Sequence, residues 1–484
     1  MKKEAVVLNS LPYYFLDDYG ILIEDLEIKG EASEAYIEYN RRYLENLNNE
    51  LLPFYAKEMP DVVNEEKLEN YYRAQGFTEL ILKVTEKCNF RCKYCVYSDY
   101  YPYTTSYGSA DMTFETAKKA IDLYMKQVER QRYFVLNKIP FIAFYGGEPL
   151  LNFELVKDVI EYVKTQYGDY NVIFTVTTNG LPLEDQQIAN FLKKHNVIIC
   201  LSLDGYPENH DRNRIRADGR PSYDTILSII HKSFLDYPLI YTLCCIDYRT
   251  DLFKLYDFYN NNDRINGGNI PHLLRISRIF DIGTNYYDQF TLEERTAYIK
   301  SFKELEKKYI ELAISDKSDW FLDLLIGQEI LRVYDRLRFA KNQGFYLING
   351  CCIPGEKIFV QPNGLIGICE KVCFDLSIGD VDSGINLKSV AEIINKMNKL
   401  LYFSCKECSL SSLCSICYAY MLTPDKIGVS ENECCNRRSS FIHSLSVIQK
   451  IESENKGFFE RKISEIIRKN KEAQLSQLLD ILLR

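Results

Sequence analysis

Between residues 79 and 280 short apolar runs alternate with longer stretches in which apolar positions recur every three or four residues. Runs at 80–85, 139–145, 172–177, 197–203, 239–246 and 273–280 have strand length, and the stretches near 113–132, 152–166, 184–195, 222–235 and 250–260 have helical spacing. The runs are apolar on both faces, as strands of a parallel sheet covered by helices are. The predicted class is therefore α/β, with six strand–helix units, too few for the eight of a closed barrel. Before this region, residues 1–78 form a separate small α+β unit. Two β-prone runs around Asp17, Asp18 and Gly20 predict a hairpin, and 31–58 carry helical spacing that Pro53 and Pro60 interrupt. After it, 286–345 read as a helical bridge with long helices over 292–315 and 320–342, in which Trp320 is a packing residue. In 346–440, apolar arms at 357–360 and 365–369 flank the turn Gln361-Pro-Asn-Gly364, which predicts a hairpin. Residues 441–484 read as a charged C-terminal helix for packing or dimerisation.

A chain of 484 residues predicts two or three domains. A net charge of −9 opposes broad contact with nucleic-acid backbone. No apolar run approaches bilayer length, and only four apolar residues follow Met1-Lys-Lys-Glu, which does not make a secretory signal. These features predict a cytoplasmic protein with neither nucleic-acid nor membrane partners. Sixteen cysteines in such a chain point to metal rather than disulfides.

Three of them, Cys88, Cys92 and Cys95, directly follow the first strand. Three thiolates at this spacing can hold three irons of a [4Fe-4S] cube, and the missing fourth leaves one iron open to a small molecule. The spacing alone also allows a zinc site or three unrelated buried thiols. The arrangement resembles the radical S-adenosylmethionine (SAM) superfamily, in which the open iron binds SAM and Tyr94 occupies the aromatic position before the last cysteine. That resemblance implies a partial (β/α)6 TIM-like barrel over 79–285, with chemistry at the C-terminal strand ends. The second strand ends in Gly146-Gly147-Glu148-Pro149; small residues permit close backbone approach, and the family holds the SAM amino group here. The third ends in Thr177-Thr-Asn-Gly180 and the fourth in Ser202-Leu-Asp204-Gly205, followed by His210-Asp-Arg-Asn-Arg214. The resemblance assigns Ser202 and Arg214 to the SAM carboxylate and sets Asp204 near SAM or substrate. On the bland reading Asn179 and Asp204 close tight turns, Arg214 makes a surface ion pair and His210 is structural. The tyrosine-rich loop 97–107 is either a lid or an exposed turn. Cys200, Cys244 and Cys245 lie in apolar runs and read as core thiols.

Ten cysteines fall within 346–440. Twin C-x2-C motifs by themselves are compatible with a zinc ribbon. The module resembles the SPASM domain, whose Gly-x4-Cys element is met by Gly364 and Cys369; the departure is that Cys414 and Cys417 are two residues apart where the family has three. The resemblance implies one auxiliary [4Fe-4S] cluster on Cys352, Cys369 and Cys417. A second falls to Cys405, Cys408, Cys414 and one of Cys434 or Cys435, with Cys351 and Cys373 as spare ligands to the first. The implied set is thus three [4Fe-4S] clusters and SAM. The implied reaction is cleavage of SAM to a 5′-deoxyadenosyl radical that takes hydrogen from a substrate, with an external donor such as flavodoxin or ferredoxin.

SPASM relatives usually modify peptides or proteins. The first expectation is a maturase that installs a cysteine thioether in a ribosomally made precursor peptide, with 1–78 as a leader-binding unit or a plain extension. The rival is an anaerobic sulfatase-maturing enzyme forming formylglycine, in which Glu370, directly after Cys369, stands where that family has an aspartate base, or is simply a solvated loop charge; carbon–carbon cross-linking is a further alternative. A non-catalytic electron carrier or zinc-dependent interaction protein has no use for SAM-binding segments at successive strand ends.

Overall fold

A computed structural model describes residues 5–8, 11–16, 22–23, 62–101, 107–131, 139–279, 281, 283–339, 352–372, 376–405, 414, 416–421, 428, 431–466 and 468. Strands β1 (Ala5–Leu8), β2 (Leu11–Leu16) and β3 (Leu22–Ile23) form a small antiparallel sheet. Its β2–β3 hairpin pairs Phe15 with Ile23 and Leu16 with Leu22, across the predicted turn. The predicted helical stretch 31–58 lies outside the described residues. Helix α1 (Glu65–Gln75) starts where the Asn64 side chain accepts the Lys67 N–H at 2.8 Å.

The six predicted strands are all present: β4 (Glu79–Thr85), β5 (Phe141–Gly146), β6 (Ile173–Thr178), β7 (Ile198–Ser202), β8 (Ile240–Ile246) and β9 (Leu273–Arg278). They lie side by side in chain order, each parallel to the next. The crossovers carry α2 (Phe114–Gln131), α3 (Phe153–Gln166), α4 (Gln186–Lys194), α5 (Pro207–Asn213), α6 (Tyr223–Ser233) and α7 (Leu252–Asn262). Strand order of this kind curls a sheet into an open, partial barrel.

The strands differ from expectation in one respect. Along β5, β6 and β7 burial alternates. Phe144, Val176, Ile199 and Leu201 are fully buried on the helix side, whereas Ala143, Tyr145, Thr175, Thr177, Cys200 and Ser202 are half-buried on the other. Eight strands let opposite walls fill a barrel with side chains; six do not, so the inner face lines a lumen.

Helix α8 (Leu292–Ile314) opens with a capping box between Thr291 and Glu294. A short helical turn (Trp320–Leu322) and a π-turn (Asp323–Gly327) lead into α9 (Gln328–Phe339). The C-terminal hairpin, β10 (Lys357–Val360) and β11 (Leu365–Gly367), joins the barrel sheet. β10 runs parallel to β4 on the side away from β5, with Lys357 opposite Glu79 and Val360 opposite Leu82. β12 (Ser377–Asp380) and β13 (Gly384–Ile385) extend the sheet to ten strands. Helix α10 (Leu387–Cys405) buries Val390, Ile394, Met397 and Leu401 on one stripe, each such side chain contributing about 1.5–3 kcal/mol. Asn395 grips α1 by accepting the Val63 N–H and donating to the Val63 carbonyl, both at 2.8 Å. The last labelled helix, α11 (Glu431–Glu454), begins ten residues before the predicted charged helix. Among the described residues no helix is long and apolar enough to cross a membrane.

Candidate active site

The cysteine loop follows Thr85 and is held like a short extra strand. Arg91 N–H donates to Ile215 O at 2.7 Å, Lys93 N–H to Asn213 O at 3.0 Å and Ala217 N–H to Asn89 O at 2.8 Å. A turn closed by Cys95 N–H on Cys92 O (3.1 Å) gathers the thiols. Cys88, Cys92 and Cys95 are free and half-buried, and each lies within electrostatic reach of the other two. Burial pushes the Cys88 thiol up to about 11 and raises Cys92 and Cys95 as well. Without metal the three are neutral; a cluster would displace their protons. Three convergent thiols on one loop fit three irons of a cube.

The Gly146-Gly147 pair has a reason beyond ligand approach. Gly146 has φ +146°, and a Cβ there would meet Thr85 O at 2.3 Å; on Gly147 it would meet Lys87 O at 2.1 Å. The glycines thus admit the backbone of the cysteine loop, which is then fixed by Gly147 N–H on Thr85 O (2.9 Å) and Glu148 N–H on Lys87 O (2.8 Å). Glu148 is buried. Its carboxyl accepts from Leu150 N–H at 3.2 Å, Thr178 Oγ1 at 2.8 Å and Asn179 N–H at 2.7 Å. Burial raises it to about 7 even against these donors. Pro149 begins the 3-10 turn that follows. Asn179 in turn donates to Asn89 Oδ1 at 2.6 Å, so the second and third strand ends both brace the cysteine loop.

Asp204 joins the fourth strand end to three other segments. Its Oδ2 accepts from Tyr94 OH at 2.5 Å and Arg214 Nε at 2.9 Å, and its Oδ1 from Cys245 N–H at 2.8 Å. Asp204 and Arg214 are both buried, so the ion pair is internal rather than the surface pair of the bland reading. Only Nε of Arg214 is engaged; its two Nη atoms make no hydrogen bond among the described residues. Ser202 ends β7 half-buried on the lumen side.

At the other end of β4 a second group assembles. Cys352 precedes β10, and Cys369 follows β11 level with Lys357. Both are thus at the N-terminal end of β4, about 20 Å of strand from the first loop. Cys352 lies within electrostatic reach of Cys417 and Glu370, and Cys369 of Cys352. Cys352 Sγ is 3.2 Å from Tyr418 OH, and Cys369 Sγ donates to Glu370 Oε2 at 3.3 Å. Lys357 bonds Glu79 at 3.4 Å and feels Glu370. Cys405, buried, ends α10; Cys414 is half-buried; Cys434 and Cys435 are exposed near the start of α11. Cys351, Cys373 and Cys408 lie outside the described residues. Among the described residues no group of three or more His, Cys, Asp or Glu side chains is arranged to hold a single metal ion; a cube spreads its thiolates over separate irons.

Sequence reasoning passed over Cys245. Cys244 is buried near Tyr259 on the helix side, as expected of a core thiol. Cys245, one residue on, lies on the lumen side beside Tyr94, within an aromatic cluster that includes Ile279, Tyr286 and Phe290. Strand alternation is the signal that separates the two.

Residues 82–235 match the family model of the radical SAM superfamily. This chain carries a radical SAM domain. An uncharacterised protein of Methanocaldococcus jannaschii is 36% identical over 147 residues, 30% of this chain and 45% of that protein. The cysteine-type anaerobic sulfatase-maturating enzyme of Clostridium novyi is 24% identical over 387 residues, covering 76% of this chain and 94% of its own length. The radical SAM cyclopropyl synthase TigE of Paramaledivibacter caminithermalis is 24% identical over 300 residues, 60% of this chain and 56% of that one. The chain therefore spans about half the length of two of these relatives and nearly all of the third. The solved structure of native anSMEcpe with bound AdoMet superposes with a TM-score of 0.56 at 20% identity, covering 78% of this chain and 99% of that one, which shows a common fold. A radical SAM domain implies a [4Fe-4S] cluster and SAM, and the cysteine loop with its three thiols fits them.

Proposed function

We infer that this radical SAM enzyme is a maturase of a peptide or protein, and that it installs a thioether from a substrate cysteine. The observation that carries the reading is the layout of the cysteines: two groups at opposite ends of β4, with the half-buried inner faces of β5, β6 and β7 beside that strand. Joining a thiol to a carbon removes one hydrogen atom from C–H, and a proton and one further electron from the pair. Cys88, Cys92 and Cys95 would hold the cluster that with SAM would supply the hydrogen-atom abstraction, and auxiliary clusters at the other end of β4 would supply a sink for the remaining electron. The auxiliary ligands in this reading are Cys352, Cys369 and Cys417, then Cys405, Cys408, Cys414 and one of Cys434 or Cys435. The free Nη fork of Arg214, with Ser202, suits a carboxylate such as that of SAM. Tyr94 and Asp204 hold that arginine in place, and in this reading Glu370 would be the base for the thiol proton. Precursor peptide and an external electron donor such as flavodoxin or ferredoxin complete the system.

A second reading, oxidation of a protein cysteine or serine to formylglycine, is favoured by one feature: a carboxylate directly after the hairpin cysteine and bonded to it. The sulfatase-maturating relatives support it as well. Mass spectrometry on cysteine-bearing peptides treated with reconstituted protein, SAM and dithionite separates the two. The thioether product loses two hydrogens and keeps its sulfur; formylglycine made from cysteine loses the sulfur and gains an aldehyde. Cleavage of SAM with every cysteine peptide, including sulfatase-derived ones, left unchanged would sink the cysteine-directed reading.

A further inference from the structure

The side chains of Asp204 and Arg214 meet in the site described above, and one residue, His210, accepts the backbone N–H of both. His210 is wholly buried on α5. Its Nδ1 lies 3.2 Å from the Asp204 amide, a group that can only donate, so Nδ1 is the unprotonated nitrogen. Its Nε2 lies 2.9 Å from Ser222 Oγ. Ser222 Oγ is 2.8 Å from the Arg214 carbonyl, a group that can only accept. The serine hydrogen is therefore committed to that carbonyl, and its oxygen accepts from Nε2–H. One neutral tautomer satisfies every member of the chain. The His210 carbonyl also accepts the Arg214 N–H at 2.8 Å. The serine is fixed in turn, because Asp211 Oδ1 accepts the backbone N–H groups of Ser222 (2.8 Å) and Tyr223 (2.9 Å).

We propose that His210 is a positioning residue for the ligand carboxylate: by spanning the Asp204 amide and, through Ser222, the Arg214 carbonyl, it sets the register in which Asp204 engages Nε of Arg214 and leaves the two Nη atoms for the ligand. The proposal rests on the reading of Arg214 as a SAM ligand. An unregistered arginine can turn a terminal nitrogen to Asp204 instead, and then no longer offers its two Nη atoms together. An aromatic ring of similar size at position 210 fills the same space but makes neither bond. The neighbouring bonds of α5 leave the rest of the site in place: Arg212 and Asn213 hold Asp247 at 2.7 and 3.0 Å, and Asn209 donates to Asp204 O at 2.7 Å.

The test compares wild type, His210→Phe, His210→Asn and Ser222→Ala as full-length reconstituted proteins. It reads the SAM dissociation constant by equilibrium dialysis, the electron paramagnetic resonance spectrum of the reduced cluster with and without SAM, and KM against kcat for 5′-deoxyadenosine release. Removing both bonds in His210→Phe weakens SAM binding about tenfold or more, raises KM with little change in kcat, and leaves the spectrum without SAM as in wild type. His210→Asn, which can still accept from the Asp204 amide, recovers part of the loss. Ser222→Ala, which keeps the histidine and cuts only the arm to Arg214, weakens SAM binding by severalfold and keeps the test open if His210→Phe does not fold. Wild-type affinity in Ser222→Ala and in every folded His210 variant overturns this inference alone, as does a fall in kcat with KM unchanged. Absence of SAM binding to wild type with its iron intact overturns the underlying reading of Arg214, and this inference with it.

Discussion

At the scale of single residues, the segments that resemble SAM contacts also hold the site together. Gly146 and Gly147 admit the cysteine loop, and Glu148 ties it to the third strand end through two donors, Thr178 and Asn179. A buried carboxyl raised to about 7 binds its proton more tightly in the folded chain than in the unfolded one. Its contribution to stability is then full below the ordinary glutamate range and is lost as pH rises through about 7. Glu148→Gln does not titrate, and its amide nitrogen opposes an N–H or a hydroxyl donor that Glu148 accepts. The variant is expected to be less stable by about 1–3 kcal/mol, with the gap to wild type shrinking as pH rises from 5 to 8. Thermal unfolding across that range checks the sign; a gap that widens with pH would contradict the assignment. His210 shows how a residue can read as structural in the sequence and still belong to the site, since its role lies in two backbone groups that no spacing rule connects.

At the scale of elements, the period of the apolar positions located all six barrel strands within a residue or two, because strands buried under helices have little freedom in composition. The half-open inner face was not legible in the same runs. Cys200 and Cys245 look like their core neighbour Cys244 until strand alternation assigns each to a face. Helix α10 shows its helical period only in the buried positions 390, 394, 397 and 401, between stretches of closely spaced cysteines. The start of α11 matters for chemistry. Cys434 and Cys435 are consecutive residues of one helix, about 100° apart around its axis, so only one can face a given cluster. Replacing each by serine in turn is expected to lower bound iron for one variant and leave the other at the wild-type value. Equal loss from both, measured as iron per chain, would contradict a helical position for the pair.

At the scale of the molecule, the C-terminal hairpin does not stand apart from the barrel. β10 pairs with β4, so one strand carries a cysteine group beyond each of its ends. The sequence showed both groups and their likeness to known cluster ligands, but the shared strand that relates them is a long-range pairing that spacing cannot reveal. This layout makes the account testable at its centre, which is that Cys88, Cys92 and Cys95 hold the cluster that opens SAM. The direct measurement is 5′-deoxyadenosine release from SAM with dithionite, alongside iron per chain, in wild type and in the Cys88→Ala, Cys92→Ala, Cys95→Ala triple variant. The account predicts steady release from wild type, and from the variant no release with about four fewer irons. Release from both proteins, or from neither with wild-type iron complete, would contradict it.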